Sequence, residues 1–63
     1  MKTLWVARDQ NGRLSLFFSE PRRSMHWWFS DDNEVFELPN TTFPALKWED
    51  EPIRVKLVEV EAK

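Results

Sequence analysis

No cysteine occurs among the 63 residues, so neither a disulfide framework nor a thiolate metal site can staple the chain. Tyrosine is missing too, and glycine and histidine occur once each. A single glycine is too few for a glycine-rich phosphate loop. Without a thiol beside it, His26 reads better as a packed or half-exposed strand residue than as a ligand or catalytic base. Before Arg8 the N-terminal stretch offers only Leu4–Ala7 as an apolar run. A secretory signal needs roughly 7–15 apolar residues and a membrane span about 20. The expected location is therefore the cytoplasm, away from membranes, with no metal, no cofactor and no enzymatic activity.

What the chain has in quantity is aromatic bulk: four Trp and five Phe. A single domain of this size, residues 1–63, buries only about 60% of the surface its unfolded form exposes. Large rings, each burying roughly 150–250 Å², offset that shortage; self-association is the other common remedy. Leu4–Ala7, Leu14–Phe18 and Met25–Phe29 set large apolar side chains on successive positions. Side chains alternate across a strand, so both faces of each carry bulk.

Asp9-Gln10-Asn11-Gly12 predicts a hairpin with a type I turn and Gly12 in the left-handed position. In that register Val6 faces Leu16, Trp5 faces Phe17 and Leu4 faces Phe18. One face then carries Leu4, Val6, Leu14, Leu16 and Phe18; the other carries Trp5, Ala7, Ser15 and Phe17. A second turn of the same kind is expected at Ser30-Asp31-Asp32-Asn33, pairing Phe29 with Val35 and Trp28 with Phe36. It would place Met25, Trp27, Phe29 and Val35 in the core, and His26, Trp28, Phe36 and Leu38 beside Trp5 and Phe17.

Pro39 and Pro44 bracket a segment in which a helical turn over Thr42–Leu46 is expected, capped by Thr42, with Phe43 and Leu46 turned inward. Ile53, Val55 and Leu57 alternate with Arg54 and Lys56 as a half-buried strand. The phase slips at Leu57-Val58, where a bulge, or a bend of the strand around a barrel edge, would turn Val58 and Val60 the other way. The expected fold is all-β: a small curled antiparallel sheet, or a five-stranded SH3-like barrel, with one short helical turn near Thr42–Leu46.

The net charge of −2 conceals an asymmetry. Residues 1–24 carry five basic and two acidic groups, residues 25–63 four basic and nine acidic. An acidic balance disfavours nucleic acid, whose affinity comes mainly from phosphate neutralisation. A calcium loop at Asp31 fails because its obligatory Gly and Glu positions fall on Phe36 and Thr42. Glu49-Asp50-Glu51 reads first as a solvated loop.

Trp5-Val6-Ala7-Arg8-Asp9-Gln10-Asn11-Gly12, Leu14-Ser15-Leu16-Phe17, Phe43-Pro44 and Trp48-Glu49-Asp50-Glu51-Pro52 together resemble a family of short proteins of Bacteroides-type gut bacteria and their phages and mobile elements. The likeness covers most of the chain and is weakest over residues 19–33. It implies a small single-domain protein and no activity, so it transfers no catalytic residue.

The expected function is a non-enzymatic protein-interaction module, of the kind a phage or mobile element carries as an accessory. Its contact face would be Trp5, Phe17, Trp28 and Phe36, rimmed by Arg22 and Arg23, and would meet a partner protein or a second copy. Such a patch is large for a monomer to expose. The competing reading is that Phe43 and Leu46, Trp48, or Val58 and Val60 cover it as a second small core. With so few residues to spare, at least one of Trp5 and Trp28 is expected to stay open to water. The alternative is an acidic nucleic-acid mimic presenting Asp31, Asp32, Glu34, Glu49, Asp50 and Glu51. A weaker one is a single-strand nucleic-acid binder stacking bases on exposed rings.

Overall fold

The computed structural model describes residues 3–32 and 34–58. Its organising element is the hairpin that the Asp9–Gly12 turn dictates. The Gly12 amide donates to the Asp9 carbonyl at 2.9 Å and the Asp9 amide to the Arg13 carbonyl at 2.8 Å. Gly12 takes a φ of +95°, a conformation that costs glycine nothing. Strand β1 (Thr3–Arg8) and strand β2 (Leu14–Phe17) therefore pair in the expected register, Trp5 with Phe17 and Val6 with Leu16.

Around that hairpin the sheet is open, which corrects the expectation of a curled sheet or a five-stranded barrel. Four antiparallel strands run in the order β5-β2-β1-β6, with β5 at Val35–Leu38 and β6 at Ile53–Lys56. A separate two-stranded ribbon joins β3 (Arg22–Arg23) to β4 (Trp28–Phe29). The expected pairing of Phe29 with Val35 and Trp28 with Phe36 does not form. Instead β5 lies against β2, Phe36 opposite Leu16 and Leu38 opposite Leu14. The cause is ladder length: β2 offers a partner to all four residues of β5, whereas Met25–Trp27 bend and leave only two residues in β4. His26 accordingly lies in a bend, not in a strand.

No helix occurs among the described residues, and the expected helical turn over Thr42–Leu46 is replaced by three separate turns. The Thr42, Leu46 and Asp50 amides each donate at 3.0 Å to the carbonyl three residues back. Phe43 sits between the first two with a φ of +53°, and a right-handed helix cannot pass through a left-handed residue. Phe43 is 38% exposed rather than turned inward. Strand β6 stops at Lys56, and Leu57 and Val58 follow it exposed, outside any strand, so the expected bulge is absent. Val60 and Asn33 fall outside the described residues.

The sheet is the middle layer of the molecule, with a core on each face. On one, Val6 and Leu14 pack with Leu46, flanked by Leu16, Leu38, Ile53 and Val55. On the other, Ala7, Phe17 and Trp28 pack with Trp5 and Trp48. Met25, Trp27 and Phe29, expected in the core, are exposed, because the ribbon turns only Trp28 inward.

Leu46 and Trp48 are two residues apart yet seal opposite faces, so their segment crosses from one to the other beside the end of β1. Arg8 fixes that crossing. Its Nε donates to the Leu46 carbonyl at 2.6 Å and its Nη1 to the Gly12 carbonyl at 2.7 Å. Its Nη2 is shared among the carbonyls of Asn40, Thr42 and Phe43 at 3.2, 3.3 and 3.1 Å. Charged hydrogen bonds contribute about 1.5–3 kcal/mol, and stranding their partners costs more than the bonds alone.

Two substitutions test this frame by chemical denaturation. Arg8→Met should cost on the order of 3 kcal/mol, and Arg8→Lys should recover less than half of it, because an ammonium lacks the planar fork. Gly12→Val should cost at least ~1 kcal/mol through backbone strain alone, since nothing lies within 4 Å of the added Cβ. A silent Gly12→Val would remove the bulged turn from the account.

Candidate functional site

The six residues expected to form one contact face are divided by the fold. Phe17 and Trp28 are buried and Trp5 is half-buried, together in the second core. Trp28 retains 7% of its surface and Trp5 is half-buried, while among the described tryptophans Trp27 is the exposed one, at 49%. Phe36 lies on the opposite face, 60% exposed, its ring edge-on to Phe18 at 5.5 Å. The sequence pattern placed it otherwise because it assumed a β4–β5 hairpin.

The two arginines also part. Arg23 reaches over the second core, its guanidinium carbon 4.6 Å from the Trp28 ring centre and 4.8 Å from that of Trp48. Its Nη2 donates to the carbonyls of Trp48 and Asp50 at 2.8 and 3.2 Å. Below it the two indoles meet edge to face at 6.1 Å. A weakly hydrated guanidinium can serve as a lid over rings in this way, so Arg23 closes the core. Arg22 points to the other side of the ribbon, over Phe29 at 5.1 Å, and pairs with Asp31.

The acidic residues are partly consumed in local structure. Asp31 is neutralised by Arg22. The Asp32 carboxylate accepts from the Glu34 amide and the Ser30 hydroxyl, and these bonds hold its pKa below the ordinary value. Asp50 accepts from the Lys47 amide at 2.9 Å. Among the described residues no three His, Asp or Glu side chains gather as a metal site.

Two of the surfaces among the described residues suit recognition. One is the outer edge of β5, where Val35 and Phe36 are exposed between Glu34 and Glu37; Glu37 pairs with Arg13 at 3.4 Å. The other is a hollow of about 510 Å³ at the tip of the β1–β2 hairpin, lined by Asp9, Gln10, Asn11, Arg13, His26 and Trp27. The tip docks on the bend before β4: the Gln10 amide donates to the His26 carbonyl at 3.1 Å, and the Trp28 amide to Asp9 Oδ1 at 2.9 Å. The Trp28 indole N–H adds a bond to the Arg8 carbonyl at 3.1 Å. Neither Gln10 nor Trp27 stood out in the sequence, because both need the bend to be brought together.

Comparison with protein-family models, with curated proteins and with solved structures finds no match.

Partial burial raises the Asp9 carboxyl above its ordinary value of 3.8, against the Trp28 amide and Arg13, which pull it down. A raised carboxyl contributes most to stability below its unfolded value and less as pH climbs through the folded one. Asp9→Asn keeps an oxygen for the Trp28 amide and sheds the desolvated charge. It should leave stability unchanged or slightly higher at neutral pH, and should flatten its dependence above pH 3.8. Asp9→Ala strands that amide and should cost about 1–2 kcal/mol. Equal losses for both, measured by urea denaturation across pH, would show that the charge itself is what matters.

Proposed function

We propose that this chain is a non-enzymatic protein-interaction module that takes an extended segment of a partner onto the outer edge of β5. The observation that carries this reading is the exposure of Phe36 and Val35 on a sheet edge that no described strand covers. Edge strands that stay solitary are commonly blunted by charge, Pro or a bulge, and within Val35-Phe36-Glu37-Leu38 the one such device is Glu37. Strand addition gives affinity through main-chain bonds and specificity through alternate side chains. The flanking Glu34 and Glu37 favour a segment with basic residues. An accessory role in a phage or mobile element is part of the same proposal and rests on the sequence resemblance alone.

Panning a random peptide library on the intact protein tests this, with binding mapped by backbone amide shifts. Enriched peptides should be basic and alternately apolar, and their shifts should centre on residues 34–38 and on β2. Phe36→Lys should abolish binding while changing stability by no more than about 0.5 kcal/mol, as expected of an exposed site. Peptides that map away from β5, or bind Phe36→Lys equally well, would overturn the reading. A concentration-dependent dimer that Phe36→Lys dissolves would make a second copy the occupant.

A further inference from the structure

The hollow at the hairpin tip has a feature that turn chemistry does not require. Each of its polar side chains is anchored at one end and open at the other. Asp9 Oδ1 accepts from the Trp28 amide, which leaves Oδ2 as a further acceptor. Gln10 Oε1 meets His26 Nδ1 at 2.6 Å, leaving the Gln10 amide N–H groups and His26 Nε2. Asn11 Oδ1 accepts from the Arg13 amide at 2.9 Å, leaving its own N–H groups. Arg13 is held through Nε by Glu37, leaving its terminal nitrogens. Anchoring one end restricts the rotamers of the other, which lowers the ordering cost of binding.

The wall beside these groups is Trp27, half exposed and tilted against His26 at a ring separation of 6.3 Å. Ligand pockets are typically about 300–1,000 Å³ with a few placed polar groups and an aromatic surface, and this hollow falls within that range.

We propose that this hollow is a binding site for a neutral saccharide, the sugar ring lying on the Trp27 indole and adjacent hydroxyls bridging Asp9, Asn11 and Arg13. The lining narrows the ligand class step by step. The wall carries one carboxylate and one guanidinium, Asp9 and Arg13, so it favours neither sign of net charge, which suits an uncharged ligand. Acceptors and donors interleave at fixed positions, which suits hydroxyls, since each donates and accepts at once. The indole offers a flat apolar face, which a pyranose complements with its axial C–H groups. A nucleobase within a strand would bring phosphates toward an acidic chain and toward Glu37, which disfavours it. The site is separate from the β5 edge and does not depend on it.

The test is a titration of the intact protein with soluble neutral oligosaccharides: gluco-, xylo-, manno- and chito-oligomers. It is followed by the Gln10 and Asn11 side-chain amide signals and the Trp27 indole signal. The expected result is saturable shifts confined to those groups for at least one sugar. Trp27→Ala should weaken binding at least tenfold, with Trp27→Phe intermediate. Phe36→Lys serves as the control and should bind as the parent does. The proposal is overturned if no sugar shifts these signals at millimolar concentration, if Trp27→Ala binds as tightly as the parent, or if adenosine or uridine shifts them more strongly than any sugar.

Discussion

The structure hangs on one guanidinium. Between Leu38, the end of β5, and Ile53, the start of β6, the chain belongs to no strand and no helix, so its carbonyls have no ladder to enter. Buried or half-buried carbonyls demand donors, and Arg8 supplies them from the end of β1. It binds four carbonyls of that segment and the Gly12 carbonyl of the hairpin turn. The same bonds stabilise Phe43 in a left-handed conformation that costs a non-glycine residue roughly 1–2 kcal/mol. With the crossing fixed, Leu46 descends on one face of the sheet and Trp48 on the other. Both cores therefore share a single polar anchor.

That arrangement answers a problem of size. A sheet with apolar side chains on both faces needs two coverings, and a chain of 63 residues has no element large enough for either. Irregular segments serve instead. The turns after β5 cover one face; the β3–β4 ribbon and Trp48 cover the other. Where they fall short, Arg23 spreads its guanidinium over two indoles. A cation–π contact of this kind contributes about 0.5–2 kcal/mol, and the two carbonyls it also binds fix its direction. Phe17 and Trp28, half of the aromatic surface that the sequence offered as a contact face, are thereby used in folding, whereas Phe36 stays exposed.

How much of this could be read in advance differs from element to element. The β1–β2 register was legible because Asp9, Asn11 and Gly12 specify a turn, and the turn fixes every pair behind it. Alternation also showed that both sheet faces would be apolar. It could not say which strand β5 joins, since period two assigns a side chain to a face and not to a neighbour. The turn residues at Ser30–Asp32 suggested the local partner, and the longer ladder along β2 won. The helical turn failed for a similar reason: Pro44 suits the first turn of a helix, but it also disfavours the right-handed α region for Phe43. Arg8 was invisible altogether, since an arginine at a strand end reads as a solvated charge until the carbonyls around it are known.

The residues at the hairpin tip illustrate why a site can hide inside turn chemistry. Asp9, Asn11 and Gly12 would be chosen for the turn alone, so their presence says nothing about a ligand. The contact between Gln10 and His26 is different, because no turn needs it. It ties the tip of the hairpin to the bend before β4, and the Trp28 backbone bond to Asp9 completes the tie. The bend is thus held at the place where Trp28 enters the second core and Trp27, one residue earlier, must face outward. Burying one indole obliges its neighbour to stand beside the polar turn. An exposed ring next to anchored donors and acceptors is then a direct consequence of how the core is filled.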